Sequence, residues 1–175
     1  MTRYILTGAP GAGKTALLRL LERRGYAVVE EAATDVIALE QARGREEPWT
    51  DPGFIDLIIA LQKQRQTGVG SGFFDRSPVC TLALSAFLGF PPSAALRAEV
   101  ARIEAESVYE RRVFFLQNLG FVTPTAARRI SQEDALRFEQ VHAETYRGLG
   151  YDLIFIPPGE IEARADQVLA NTPFQ

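Results

Sequence analysis

The sequence predicts an α/β fold: a parallel sheet of at least five strands, covered by helices on both faces. Three observations lead there. Short apolar, β-branched or aromatic runs alternate with longer stretches of helical pattern. Two of the short runs, Val113–Leu116 and Leu153–Ile156, are continuously apolar rather than alternating, as a strand buried on both faces must be. Strand–helix alternation of this kind implies parallel pairing with right-handed crossovers.

The first strand, Arg3–Thr7, runs directly into a glycine-rich turn. A helix over Lys14–Arg24 follows, with Leu17, Leu18, Leu20 and Leu21 on its apolar side, and Gly25 supplies the residue that ends it. Tyr26–Glu30 reads as the second strand, and Ala32–Ala42 as a helix closed off by Gly44. Thr50-Asp51-Pro52 offers a capping residue and a first-turn proline for a helix that carries Ile55, Ile58, Ile59 and Leu61 to Gln66. Gly72–Asp75 is the third strand, and helices over Pro78–Leu88 and Ser93–Ser107 lead to the fourth, Arg112–Gln117. Ser131 and Asp134 form an Asp-containing capping box for the helix Ser131–Leu149. Tyr151–Ile156 and a helix over Glu160–Ala170 complete the alternation.

The 175 residues fit one domain, 1–175, and 46% hydrophobic with 23% charged residues is the balance of a soluble globular chain. A net charge of −3 without a Lys/Arg block makes nucleic acid an unlikely partner. Cys80 and His142 are each the only residue of their type, which rules out an internal disulfide and a Cys- or His-rich metal centre. No run is long and apolar enough for a signal peptide or a membrane span, and a cytoplasmic location is expected. The oligomeric state is not readable.

In open parallel sheets, ligands gather at the carboxyl ends of the strands. Gly8–Thr15, Glu30/Glu31 and Asp75-Arg76 are thereby expected on one rim, although far apart in sequence. Gly8, Ala9, Pro10, Gly11, Ala12, Gly13, Lys14 and Thr15 satisfy G-x-x-x-x-G-K-[ST], between a strand and a helix. Several backbone N–H groups must turn inward together to hold a phosphate chain, which forces dihedrals that glycine tolerates. The helix that follows, through Ala16, adds its N-terminal N–H groups and positive dipole end. Lys14 supplies a charge to the β- and γ-phosphates and Thr15 a hydroxyl ligand for Mg²⁺. ATP is favoured over GTP, because no Asn/Thr-Lys-x-Asp element for guanine is visible.

Asp75, at the end of a buried strand, can hold Mg²⁺ through a water; the competing role of helix cap falls better to Ser77. Arg76 can grip an anionic group or the transferring phosphoryl, or form a structural pair with a carboxylate. Glu31 lies where an acceptor hydroxyl would be deprotonated or hydrogen-bonded, with Glu30 the lesser candidate. Arg128 and Arg129, in "TPTAARRISQE" from Thr123 to Glu133, fit either a lid around 120–131 that closes over the nucleotide or a solvated charged turn. Trp49 either stacks on a ring or staples the helix after it. Phe54, Phe87, Phe90 and Tyr109 read as core, Cys80 as a small buried hydrophobe, and His142 as a surface or packing residue without chemistry.

The segments "YILTGAPGAGKTALLRLLERRGYAVVEEAATDVIALE", "PWTDPGFIDLIIALQKQR", "FFDRS" and "RFEQVHAETYRGLGYDLIFIP" together resemble the AAA-like domain of the nicotinamide riboside kinase family. The resemblance runs from Tyr4 to about Pro157. It implies a P-loop kinase-like fold with strand order 2-3-1-4-5. It also implies Lys14 and Thr15 at the phosphates and metal, Asp75 in the Mg²⁺ shell, Glu31 facing the acceptor and Arg129 as the lid arginine. The chain departs from the family pattern at Thr34, where arginine is common, and at Ser131, where aspartate is common. The expected activity is Mg²⁺-dependent transfer of a phosphoryl group from ATP to a small, nucleoside-like or other hydroxyl acceptor. The alternatives are a nucleotide-dependent switch or NTPase working through a protein or lipid partner, and a fold that retains only nucleotide binding.

Overall fold

The computed structural model describes residues 1–118 and 131–173. Five parallel strands form one sheet: β1 (Arg3–Thr7), β2 (Val28–Val29), β3 (Gly72–Asp75), β4 (Arg112–Leu116) and β5 (Asp152–Ile156). Their order is β2-β3-β1-β4-β5, as expected. The helices are α1 (Lys14–Arg23), α2 (Ala32–Ala42), α3 (Gly53–Thr67), α4 (Pro78–Phe87), α5 (Ala94–Ala105), α6 (Gln132–Gly148) and α7 (Ile161–Ala170).

The alternation of side chains along a strand divides the core. Tyr4, Leu6, Phe73, Phe114 and Leu116 pack with Leu17, Leu18 and Leu21 of α1 and with Ala165 and Val168 of α7. Ile5, Phe74 and Val113 point to the other face, where Val79, Cys80, Ile103 and Tyr146 meet them from α4, α5 and α6. Both faces are dry along β1, β3 and β4, which is why those runs are mostly apolar; β5 departs from the expectation, because it lies at the sheet edge, where Phe155 is exposed and only Ile156 is fully buried. A third cluster is built by helices alone: Val36 of α2, Phe54, Ile55, Ile58 and Ile59 of α3, and Leu96 and Val100 of α5. It stands beside the sheet and walls the site described below.

Two local expectations are corrected. The second strand covers Val28–Val29 rather than Tyr26–Glu30, because it lies at the sheet edge and pairs only with Phe73 and Phe74 of β3. Thr50 does not open the third helix: Pro48–Thr50 forms a 3-10 turn, and the Asp51 carboxylate accepts the Gly53 N–H (2.8 Å) where α3 begins.

Candidate active site

The glycine loop leaves the carboxyl end of β1, the central strand. Gly8, Gly11 and Gly13 have φ of 130°, 84° and 82°, the left-handed region that side chains disfavour. At Gly8 a Cβ would also lie 2.3 Å from the carbonyl oxygen of Leu116. The loop closes on itself through Ala12 N–H to Ala9 O (3.2 Å). Lys14, at the start of α1 and only 4% exposed, donates Nζ to the carbonyls of Gly8 (3.1 Å) and Ala9 (3.0 Å). From outside, Arg164 of α7 donates Nη1 to Ala12 O (2.9 Å). That carbonyl is turned outward, so the N–H of Gly13 across the same planar peptide points the other way. Thr15 is exposed at the helix start.

Glu30 and Glu31 part company. Glu30 pairs with Arg19 at the surface. Glu31, just before α2, accepts from Arg76 Nε (3.0 Å) and from Thr34 Oγ1 (3.2 Å). Its backbone is fixed by Arg65 of α3, whose Nη1 donates to the carbonyls of Glu30 and Glu31. A carboxylate can accept about four hydrogen bonds, so these contacts do not bar a further one from a hydroxyl.

Asp75 ends β3 opposite Leu6 and is buried. Ser77 caps α4, accepting from Val79 N–H (3.2 Å). Between them Arg76 has φ of 72°, unusual for a residue with a side chain and costing on the order of 1–2 kcal/mol. Its N–H donates to Leu6 O (3.0 Å), which ties the turn to β1. Burial works against the Arg76 charge, but Glu31, Cys80, Asp75 and Tyr146 more than offset it and raise the pKa above the ordinary arginine value.

A pocket of about 310 Å³ opens beside the loop, with Pro10, Glu31 and Arg76 on its wall. The rest is largely apolar: Trp49, Phe54, Phe87, Phe138, Ile37, Ile58, Leu84 and Leu88, with Thr34, Gln62, Cys80, Thr81 and Asp134 as the polar exceptions. Thr81 Oγ1 donates to Gln62 Oε1 (2.9 Å). Trp49, Phe54 and Phe87 therefore line a cavity rather than only fill a core. The structure thus brings Glu31 and Arg76 to one cavity, while Asp75, next to Arg76 in sequence, sits at the end of β3. Arg128 and Arg129, with nearly all of the 120–131 segment, lie outside the described residues.

Three residues beside the site were given no part in it by the sequence. His142 is 0% exposed and hydrogen-bonded to Arg76 (2.9 Å). Burial is the main influence raising the Glu139 pKa, against the opposing pull of the Asn118 N–H and of Lys14, which places Glu139 in the electrostatic reach of the phosphate loop. Arg164 sits beneath that loop. A spacing signal existed for the first: Phe138, His142 and Tyr146 recur every fourth residue, one face of a helix.

No helix among the described residues is long and apolar enough to cross a membrane. Comparison with solved structures gives the same fold at low identity. The NadR protein in complex with NAD and AMP-PNP superposes with a TM-score of 0.70 and 16% identity, over 99% of this chain and 50% of that one. Deoxyadenosine kinase from M. mycoides with bound dATP gives 0.59 and 15%, over 97% and 98%. Shikimate kinase from Acinetobacter baumannii in complex with shikimate gives 0.59 and 17%, over 97% and 91%. No curated protein matches by sequence. The fold is thus one that this chain shares with these proteins, and the AAA domain family model spans residues 3–164: the chain belongs to the AAA domain family.

Proposed function

We propose that the protein is a phosphotransferase that moves the γ-phosphoryl group of ATP to a hydroxyl of a small, nucleoside-like acceptor held in the 310 Å³ pocket. The observation that carries this reading is the Glu31–Arg76 pair, which lines a cavity that also touches Pro10 of the glycine loop. A switch needs a phosphate loop but has no use for a ring-sized, apolar pocket ending in a charged pair.

The loop N–H groups and the amino end of α1 would hold the phosphates. Lys14, now spread over two loop carbonyls, would turn its ammonium to the β- and γ-oxygens. Glu31 would orient the acceptor hydroxyl and take its proton as the oxygen bonds to the γ-phosphorus, with ADP leaving. Arg76 would steady the charge that develops between them. No cluster of three or more His, Cys, Asp or Glu suited to a metal occurs among the described residues. The oxygens here, the Thr15 hydroxyl and the Asp75 carboxylate, suit Mg²⁺, which is commonly bound through one or two protein oxygens plus phosphates and waters. Bound there, Mg²⁺ would neutralise charge on the β- and γ-phosphates. The lid role of Arg128 and Arg129 and the single-domain organisation over 1–175 belong to the same proposal.

The apolar walls suit a ring, and the one pocket cation among the described lining residues, Arg76, is already paired with Glu31. Incubation with ATP, Mg²⁺ and a panel of nucleosides and other hydroxyl compounds tests the reading. ADP release that depends on an acceptor supports it. Release independent of every acceptor, or binding without turnover, favours the NTPase or the binding-only alternative.

A further inference from the structure

We infer that His142 is a positioning residue: it fixes the guanidinium of Arg76 against Glu31 by accepting a hydrogen bond on a neutral imidazole. The consequence for catalysis rests on the acceptor-site reading above, whereas the pairing itself stands on geometry.

The tautomer follows from the partners. His142 Nδ1 lies 2.9 Å from the carbonyl oxygen of Phe138. A carbonyl only accepts, so Nδ1 carries the proton. Arg76 Nη1 lies 2.9 Å from Nε2, and a guanidinium only donates. Nε2 therefore presents its lone pair, and both ring nitrogens are committed. A proton on Nε2 would oppose two donors across the same contact. Burial foremost, then the charges of Arg76 and Lys14, push the imidazole pKa well below its ordinary value.

The same helix holds the rest of the turn. Phe138 sets its ring edge-on to His142, with centroids 4.1 Å apart, and beneath the Arg76 guanidinium at 5.6 Å. Tyr146 OH bonds Ser77 Oγ (2.7 Å) and Cys80 Sγ (3.0 Å). The Arg76 side chain is thus gripped at Nε by Glu31 and at Nη1 by His142, which fixes both the plane and the rotation of the guanidinium. Without His142, the Nη1 edge has no fixed acceptor and the guanidinium is free to swing about its remaining bond to Glu31. Glu31 would then lose the fixed donor that orients its carboxylate toward the acceptor hydroxyl.

Because His142 is the only histidine, nitrogen NMR of the imidazole reads one residue. The experiment compares the wild type with His142→Leu and His142→Gln, the second offering an oxygen near the place of Nε2. Expected are a neutral ring protonated at Nδ1, and an Arg76 Nε–H signal that is sharp in the wild type and His142→Gln but lost to exchange in His142→Leu. With an active acceptor, His142→Leu should lower kcat on the order of 10- to 100-fold with the KM for nucleotide unchanged. His142→Gln should recover most of it at equal thermal stability. An imidazole that titrates near its ordinary value, an Nε2–H tautomer, or an Arg76 signal indifferent to His142→Leu would overturn the inference. So would undiminished kcat in a folded His142→Leu. Should no acceptor support turnover, the kinase reading fails, and the two NMR signals alone decide the pairing.

Discussion

Replacing Gly8 by alanine tests the geometry on which the phosphate site depends. The residue has φ of 130°, and its Cβ would lie 2.3 Å from Leu116 O and 3.3 Å from Leu116 C. An ordinary carbon–oxygen contact is about 3.3 Å, so the loop and the end of β4 must part by roughly 1 Å. The obstacle is backbone on both sides, and the pairs Leu6–Phe114 and Thr7–Phe115 hold the two strands in register immediately before it. The conformation costs about 1–2 kcal/mol for a residue with a side chain, and the overpacking about 1–3 kcal/mol more. Near the middle of that range, about 3 kcal/mol, Tm falls by roughly 6–12 °C. Gly44→Ala is the matched control: its φ is 90° and its Cβ meets nothing within 4 Å, so it bears the conformational term alone, about 2–8 °C. Calorimetry measures both, and nucleotide titration reads the loop, where Gly8→Ala should bind at least ~10-fold more weakly and Gly44→Ala normally. Equal Tm and equal affinity for the two variants would refute the argument that β4 presses on the loop.

Three further outcomes are expected. Lys14→Ala should abolish nucleotide-dependent ADP release, because no other described side chain offers an ammonium to the loop; a normal rate would reject the phosphate role. Arg164→Met should weaken nucleotide binding about tenfold by freeing the Ala12 carbonyl, yet leave Tm equal or higher. The reason is that Nε and Nη2 of Arg164 are buried without a hydrogen-bond partner among the described residues, and burial lowers its pKa. Acid should destabilise the fold through His142, which stays neutral when folded, whereas the unfolded chain takes up a proton below about pH 6.5. This contribution is fully present above that pH and declines by up to about 1.4 kcal/mol per unit below it; denaturant titrations from pH 7 to 5 should show the slope, and His142→Gln should lack it.

Legibility in the sequence tracked how local each cause was. The runs of β1, β3 and β4 announced themselves because burial on both faces leaves few polar positions, whereas the apolar run of β5 marked a strand but not its exposed place at the sheet edge; helix ends were readable wherever glycine took a left-handed φ, as at Gly25 and Gly44. The edge strand β2 was overread because its length is set by its single neighbour, β3, rather than by its own residues. The phosphate loop was legible as a motif, being contiguous. The cavity beside it was not, since its wall joins Trp49, Phe54, Phe87 and Phe138 from four separate segments, and each alone looks like core. For His142, read as a surface or packing residue, burial decides for packing, and only the fold puts Arg76 opposite it.

The turn at Arg76 shows how the fold spends strain on placement. An arginine in a left-handed conformation is disfavoured by itself, and nothing in the local sequence compensates. The compensation is distributed: Leu6 of β1 takes its N–H, Glu31 and His142 take its guanidinium, and Tyr146 secures the Ser77 cap that follows. These come from β1, from the residue before α2 and twice from α6, so the conformation exists only when those elements have assembled around β3 and α4. A side chain held this way reports the integrity of the whole rim. That makes the turn suited to a task in which a guanidinium must already be in place before an acceptor arrives.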